Sequence, residues 1–175
     1  MKLKLSRFLS DGAILQKDER IPVRGMGTPG KRVRAVLKKS AVMTQGAAVT
    51  AGETMASGEA VVSGDGRFCL ELDPLPAGGP YELCVTEEEN GVNQNAAEQN
   101  SVTVSDLLIG AVWYVSGQSN IDVDMERCRD SYPEIIESCQ DDGLRTFRIT
   151  EYADYHGPLD EPLTGEWKKA GRPAC

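Results

Sequence analysis

The sequence predicts an antiparallel all-β unit followed by the opening of an α/β sheet, and three observations carry that expectation. From Gly12 to Pro80, glycines and prolines punctuate short, β-rich segments. Two of these segments alternate: Phe68, Leu70 and Leu72 with Cys69 and Glu71, then Tyr81, Leu83 and Val85 with Glu82 and Cys84, so one face is buried and the other wet. Near Ser105 the pattern changes. DLLIGAVWYV is a nearly continuous apolar run, as in a strand covered on both faces of a parallel sheet.

Taken in order, the expected strands are Ile21 to Arg24, Arg32 to Lys38, Glu59 to Val62, Arg67 to Leu72, Tyr81 to Thr86 and Ser101 to Val104. Met43 to Ser57, rich in Ala, Gly and Thr, has no period and reads as a loose loop or irregular edge. Glu87 to Asn100 is polar and reads as an exposed excursion between strands. If the strands on either side of DPLPAGGP form a symmetric hairpin, Cys69 faces Cys84 within crosslinking distance; if they lie in opposite sheets, the two thiols are apart. Further on, Ser131 and Glu134 match a capping box, and Tyr132, Ile135, Ile136 and Cys139 recur at helical spacing. A helix from Tyr132 to Gln140 is expected, with its stop at Gly143, and LRTFRI (Leu144 to Ile149) then reads as a strand. Strand, helix and strand together open an α/β sheet. The tail from Glu151 has no sustained period. From Ser105 only 71 residues remain, fewer than a doubly wound sheet needs, so this second unit is expected to be incomplete.

Composition narrows the function classes. The longest apolar run, Leu107 to Val115, is far short of a membrane span, so no membrane partner is expected. The start, MKLKLSRFLSDGAILQ, lacks the apolar stretch and cleavage site of a secretory leader, which makes the cytoplasm the expected compartment. Five cysteines without a C-x-x-C pair are neither a zinc nor a disulfide framework, and the single histidine, His156, excludes a multi-histidine metal site within these residues. Net charge is −8, but residues 1–50 hold eleven Lys or Arg against three Asp or Glu. That basic part lacks the interleaved aromatics of a base-stacking surface and the acidic remainder repels phosphate, so no nucleic-acid partner is expected.

The motif that carries chemistry is SGQSN, Ser116 to Asn120, directly after the apolar strand. In α/β sheets ligands bind beyond the carboxyl ends of the strands, where a serine hydroxyl can face a crevice. Gly117 is expected to allow the sharp exit from the strand. A serine nucleophile further requires a base to accept its proton and donors for the oxyanion. The motif is neither G-x-S-x-G, since Ile121 replaces the second glycine, nor a phosphate-binding loop, since no G-K-[ST] follows. Asp122, Asp124 and Glu126 alternate acidic groups just beyond it, a pattern that fits a solvated face better than a cation site.

Three blocks in order give the chain a resemblance. FLSDGAILQKDERIPVRG (Phe8 to Gly25), GDGRFCLELDPLPAGGPYELCV (Gly64 to Val85) and VSDLLIGAVWYVSGQSN (Val104 to Asn120) resemble the opening, the hairpin and the nucleophile block of the sialate O-acetylesterase family. The resemblance implies a β-sandwich (residues 1–104) followed by the beginning of an α/β (SGNH/flavodoxin-like) hydrolase domain (residues 105–175). It also implies removal of O-acetyl groups from sialic acids or related sugars without a cofactor or a metal. Ser119 is then the nucleophile and its N–H an oxyanion donor, while Asn120 matches the motif without an assigned role. Where the family usually has Met after GQSN, this chain has Ile121. The family's other oxyanion donors and its Asp-x-x-His block have no counterpart in these residues, and His156 does not match, because Ala153 stands three positions before it. The 175 residues alone are therefore expected to be catalytically inactive. The alternative reading is a non-catalytic carbohydrate-binding or interaction module.

Overall fold

The computed structural model describes residues 1–40, 52–88, 100–117, 119–123, 125–138, 141–149, 157, 159, 161 and 164–170. The strands in chain order are β1 (Lys4–Leu5), β2 (Ile14–Gln16), β3 (Ile21–Met26), β4 (Arg32–Lys39), β5 (Thr54–Val61), β6 (Arg67–Leu72), β7 (Gly78–Glu88) and β8 (Asn100–Gly110). After β8 come two 3₁₀ turns (Ser119–Asp122 and Met125–Cys128), helix α1 (Pro133–Ser138), β9 (Asp141–Phe147) and β10 (Trp167–Ala170). The chain is thus mostly sheet with few helices.

Eight strands form two sheets. One is ordered β1-β3-β6 and the other β2-β8-β7-β4-β5; every pairing is antiparallel except β2 with β8. Period-2 alternation puts one row of each strand inside. Val33, Ala35 and Leu37 of β4, Leu83 and Val85 of β7, and Val104 and Leu107 of β8 share one hydrophobic cluster with Ile21 and Val23 of β3 and Phe68, Leu70 and Leu72 of β6. The two sheets therefore bury their faces on a common core, with Leu37 opposite Leu83 and Val23 opposite Leu70. Gly25 lets β1 and β3 approach: a Cβ there would lie 2.2 Å from the Lys4 backbone oxygen. Between β5 and β6 the chain turns tightly. Gly66 adopts a φ of 83°, and the Asp65 carboxylate accepts from the Ser63 hydroxyl and the Arg67 N–H, which together hold the Asp65 carboxyl below its usual range.

Most expected strands appear, several of them longer. β5 begins at Thr54, so the described end of the segment read as a loose loop or irregular edge is the edge, a strand held against β4, while residues 43–51 lie outside the described ones. Aperiodic, Ala- and Gly-rich sequence hides it, because an edge strand of small residues has no alternation to show. The polar excursion is likewise shorter than expected. Glu87 and Glu88 close β7 and Asn100 opens β8, leaving residues 89–99 outside the described ones.

The hairpin of β6 with β7 does not form. β6 pairs with β3 in one sheet and β7 lies between β4 and β8 in the other, so Cys69 stands opposite Arg24 and Cys84 opposite Val36 and Thr103. Both thiols are free. The connection from Asp73 to Ala77 carries the chain from one sheet to the other instead of reversing it within one.

The second half departs further from expectation. α1 starts at Pro133, which lacks an N–H and suits the first helical position, so Tyr132 rather than Ser131 occupies the cap. Of its stripe only Ile136 is buried; Tyr132 and Ile135 are exposed, and Cys139 lies outside the described residues. Gly143 is not a helix stop, since it lies within β9. β9 pairs antiparallel with β10 in a two-stranded sheet of their own, so the expected parallel strand, helix, strand unit with β8 is not formed among the described residues. β10 itself gives no periodic signal in the sequence. No helix among the described residues is long and apolar enough to cross a membrane.

Candidate functional site

The serine motif lies at the end of a path that starts in β8. Three residues of β7, from Tyr81 to Leu83, face four of β8, from Leu107 to Val104, and the extra residue makes a β-bulge at Ser105 and Asp106. Asp106 has a φ of 55°, uncommon for a residue with a side chain. Beyond the bulge Leu107 and Ile109 point into the core, and the Gln16 side chain accepts from the Val112 N–H at 2.9 Å.

Past Gly110 the apolar run leaves the sheet. Residues 111–117 belong to no strand, and Trp113, Tyr114 and Val115 are 83%, 89% and 69% exposed. This corrects the expectation of a strand covered on both faces from Leu107 to Val115. Apolar character supplies the tendency to be buried, but burial needs neighbours on both sides, and among the described residues none pairs with 111–117.

Ser119 opens the first 3₁₀ turn and is exposed, with no hydrogen-bond partner for its hydroxyl among the described residues. Ile121 folds back over Gly117, where a Cβ would meet its side chain at 3.4 Å, an ordinary contact. Gly117 is not in the left-handed region, so the sharp exit expected of it is not what this glycine provides. Gln118, Asp124 and His156 lie outside the described residues, as do the side chains of Asn120 and Asp122. Glu126 is engaged by Arg129, whose Nε and Nη2 donate to its two carboxylate oxygens at 2.5 and 2.6 Å. Among the described residues no group of three or more His, Cys, Asp or Glu is placed to hold a metal ion. The described geometry therefore presents a serine hydroxyl to solvent without bringing a base to it.

What the structure adds is the contact between the β9–β10 hairpin and the sheets. Arg145 of β9, its side chain only 3% exposed, donates to the backbone carbonyls of Gly12 and Asp106 and, at 3.0 Å, to the Asp106 carboxylate. Lys169 of β10 reaches the other Asp106 oxygen at 3.2 Å. Burial alone raises the Asp106 carboxyl, but the hydrogen bonds and charges of Arg145 and Lys169 outweigh it and hold it below its ordinary value. Beside this cluster the Phe8, Phe147 and Trp167 rings pack at tilted angles of 47° and 60° with centroids 5.0 and 5.4 Å apart, and the Trp167 indole donates to the Phe8 carbonyl. Sequence reasoning misses these residues. The available signals are a lone aspartate opening an apolar run and an arginine inside LRTFRI.

No family model matches the chain. Among curated proteins it is 24% identical over 148 residues to the sialate O-acetylesterases of Mus musculus and Homo sapiens, covering 84% of this chain and 24% and 25% of those proteins. The Rattus norvegicus sialate O-acetylesterase is 30% identical over 94 residues, or 49% of this chain and 16% of that protein. A solved carbohydrate acetylesterase from Xanthomonas citri superposes with a TM-score of 0.76 at 25% identity, covering 98% of this chain and 33% of its own. The likeness is to esterases. The chain spans about a quarter of the length of the curated relatives it matches.

Proposed function

We propose that these residues belong to a carbohydrate esterase that removes O-acetyl groups from sialic acids or related sugars, with Ser119 as the nucleophile. The observation that carries this reading is the superposition of 98% of the chain on a carbohydrate acetylesterase. The SGQSN motif lies just beyond the last strand of the larger sheet, where a nucleophile would be presented. In this reading residues 1–104 are a β-sandwich and residues 105–175 begin an α/β hydrolase domain of the SGNH type. Ser119 attacks the acetyl carbonyl while a base accepts its proton and its own N–H helps to hold the oxyanion; the bond to the sugar oxygen then breaks, the sugar leaves as its hydroxyl with the proton returned by the base, and water hydrolyses the acetyl-enzyme to acetate. The proposed substrate is an O-acetylated sugar, and neither nucleic acid nor membrane takes part.

The test is hydrolysis of O-acetylated sialic acid and of an activated acetyl ester by the product of the complete reading frame that contains these residues. Ser119→Ala is expected to lower turnover on the order of 10⁴-fold with unchanged folding. Near-normal turnover in that variant rules Ser119 out. A specific observation favours the second reading, a non-catalytic binding module: the two sheets close a core among themselves, whereas Ser119 has no partner among the described residues. Saturable binding of a non-acetylated sugar by the 175 residues, with no hydrolysis by the complete product, would decide for it.

A further inference from the structure

Asp106 and Arg145 are 39 residues apart in sequence, and the segment between their contacts contains Ser119. Its two ends are fastened differently. On one side β8 lies in the five-stranded sheet; on the other β9 pairs, among the described residues, only with β10, and that hairpin meets the rest of the molecule at Arg145, Lys169, the Phe8, Phe147 and Trp167 rings, and Glu161, which accepts from the Ser6 hydroxyl and the Arg7 N–H. In between, residues 111–117 are exposed and in no strand.

We propose that Asp106 and Arg145 are positioning residues: their contact clasps the ends of the Ser119-bearing segment together and so fixes where that serine stands relative to the sheets. The role in catalysis rests on the reading of Ser119 as nucleophile; the clasp itself does not.

Three features argue for a built joint. A buried guanidinium is costly unless its donors are met, and Arg145 is met by the carbonyls of Asp142, Gly12 and Asp106 and by one Asp106 oxygen. Asp106 keeps an unfavourable φ, which a glycine would hold without strain, at the one position where its carbonyl and carboxylate both reach the guanidinium. The contact also ties three separate segments at one point, because Gly12, which leads into β2, shares the same guanidinium nitrogen with Asp106. Closing a segment of this length carries an entropic cost that the clasp must hold against, so releasing it frees the segment and not the sheets.

The experiment is amide hydrogen exchange on the 175-residue chain, with Asp106→Gly, Arg145→Met and the double variant. Asp106→Gly suits the positive φ and preserves the bulge, which keeps the test valid if Arg145→Met folds poorly. Each single variant is expected to speed exchange of the hydrogen-bonded amides within 125–138 by about tenfold or more, with β4 and β7 changed less than about twofold. Half-buried Cys128, inside the segment, alkylates faster while half-buried Cys84 of β7 does not. The double variant falls short of the product of the two singles, because the contact between the two side chains is lost only once, while the bonds from Arg145 to the Gly12 and residue-106 carbonyls survive Asp106→Gly and the Lys169 pair survives Arg145→Met. Unchanged exchange across the segment overturns the proposal. So does equal acceleration in β4 and β7, or effects that multiply in the double variant. Loss of protection in these variants together with full turnover in Ser119→Ala keeps the clasp and removes only the nucleophile.

Discussion

Replacing Glu87 by glutamine removes one negative charge from a buried polar knot and changes almost nothing in size. Glu87 is 4% exposed, at the end of β7, on the face that elsewhere carries Leu83 and Val85. Its Oε1 accepts from the Thr28 N–H at 2.8 Å and its Oε2 from the Asn100 amide at 2.6 Å. Asn100 stands opposite it in the ladder, accepts from the Leu3 N–H and donates to the Met1 carbonyl. A glutamine can satisfy Thr28 only by turning its amide nitrogen toward the Asn100 nitrogen. Flipping Asn100 then sets nitrogen against the Leu3 N–H, so every arrangement leaves donor facing donor. One lost charge-assisted bond with an unmet donor is worth about 2 kcal/mol, or roughly 4–8 °C in Tm for a chain of this size. Burial alone raises the Glu87 carboxyl, but the bonds from Thr28 and Asn100 and the charge of Lys31 outweigh it, so its folded value lies below the ordinary one. A depressed value means that the stabilisation is complete above about pH 4.3 and is lost as pH falls through the folded value. Urea unfolding at pH 7 and at successively lower pH measures both effects. The gap between the unsubstituted chain and its Glu87→Gln variant should be about 2 kcal/mol at pH 7 and shrink on acidification. A gap below about 0.5 kcal/mol at pH 7, or one that does not shrink, refutes the reasoning.

Leu83→Ala, at a fully buried position opposite Leu37 and Val104, should cost about 3 kcal/mol in urea unfolding. Gly25→Ala places a Cβ against the Lys4 carbonyl and the Phe68 ring; it should detach β1, seen as faster exchange of the Ser6 N–H that donates to Arg24. Trp113 stands in solvent while Trp167 is half-buried, so Trp113→Phe should remove most of the emission that acrylamide quenches. Oxidation of the folded chain followed by mass spectrometry should yield no Cys69 to Cys84 link, since their strands lie in different sheets.

Strand existence and the buried face are legible in the sequence wherever alternation is strict. Arg67 to Leu72 is legible to its ends, because apolar and polar residues on a pleated strand must take opposite faces whichever strand lies beside it. Tertiary structure alone decides partners. Nothing in β6 or β7 says that they belong to different sheets, since a six-residue alternation satisfies either pairing equally well. Nor does the apolar run from Leu107 to Val115 say where its burial stops; Ile109 meets the core and Trp113 does not, because among the described residues only the first part is paired in a sheet. The joint at Asp106 is the least legible. An aspartate at positive φ and an arginine 39 residues later become a pair only when a bulge and a hairpin bring them together, and local sequence has no term for that distance.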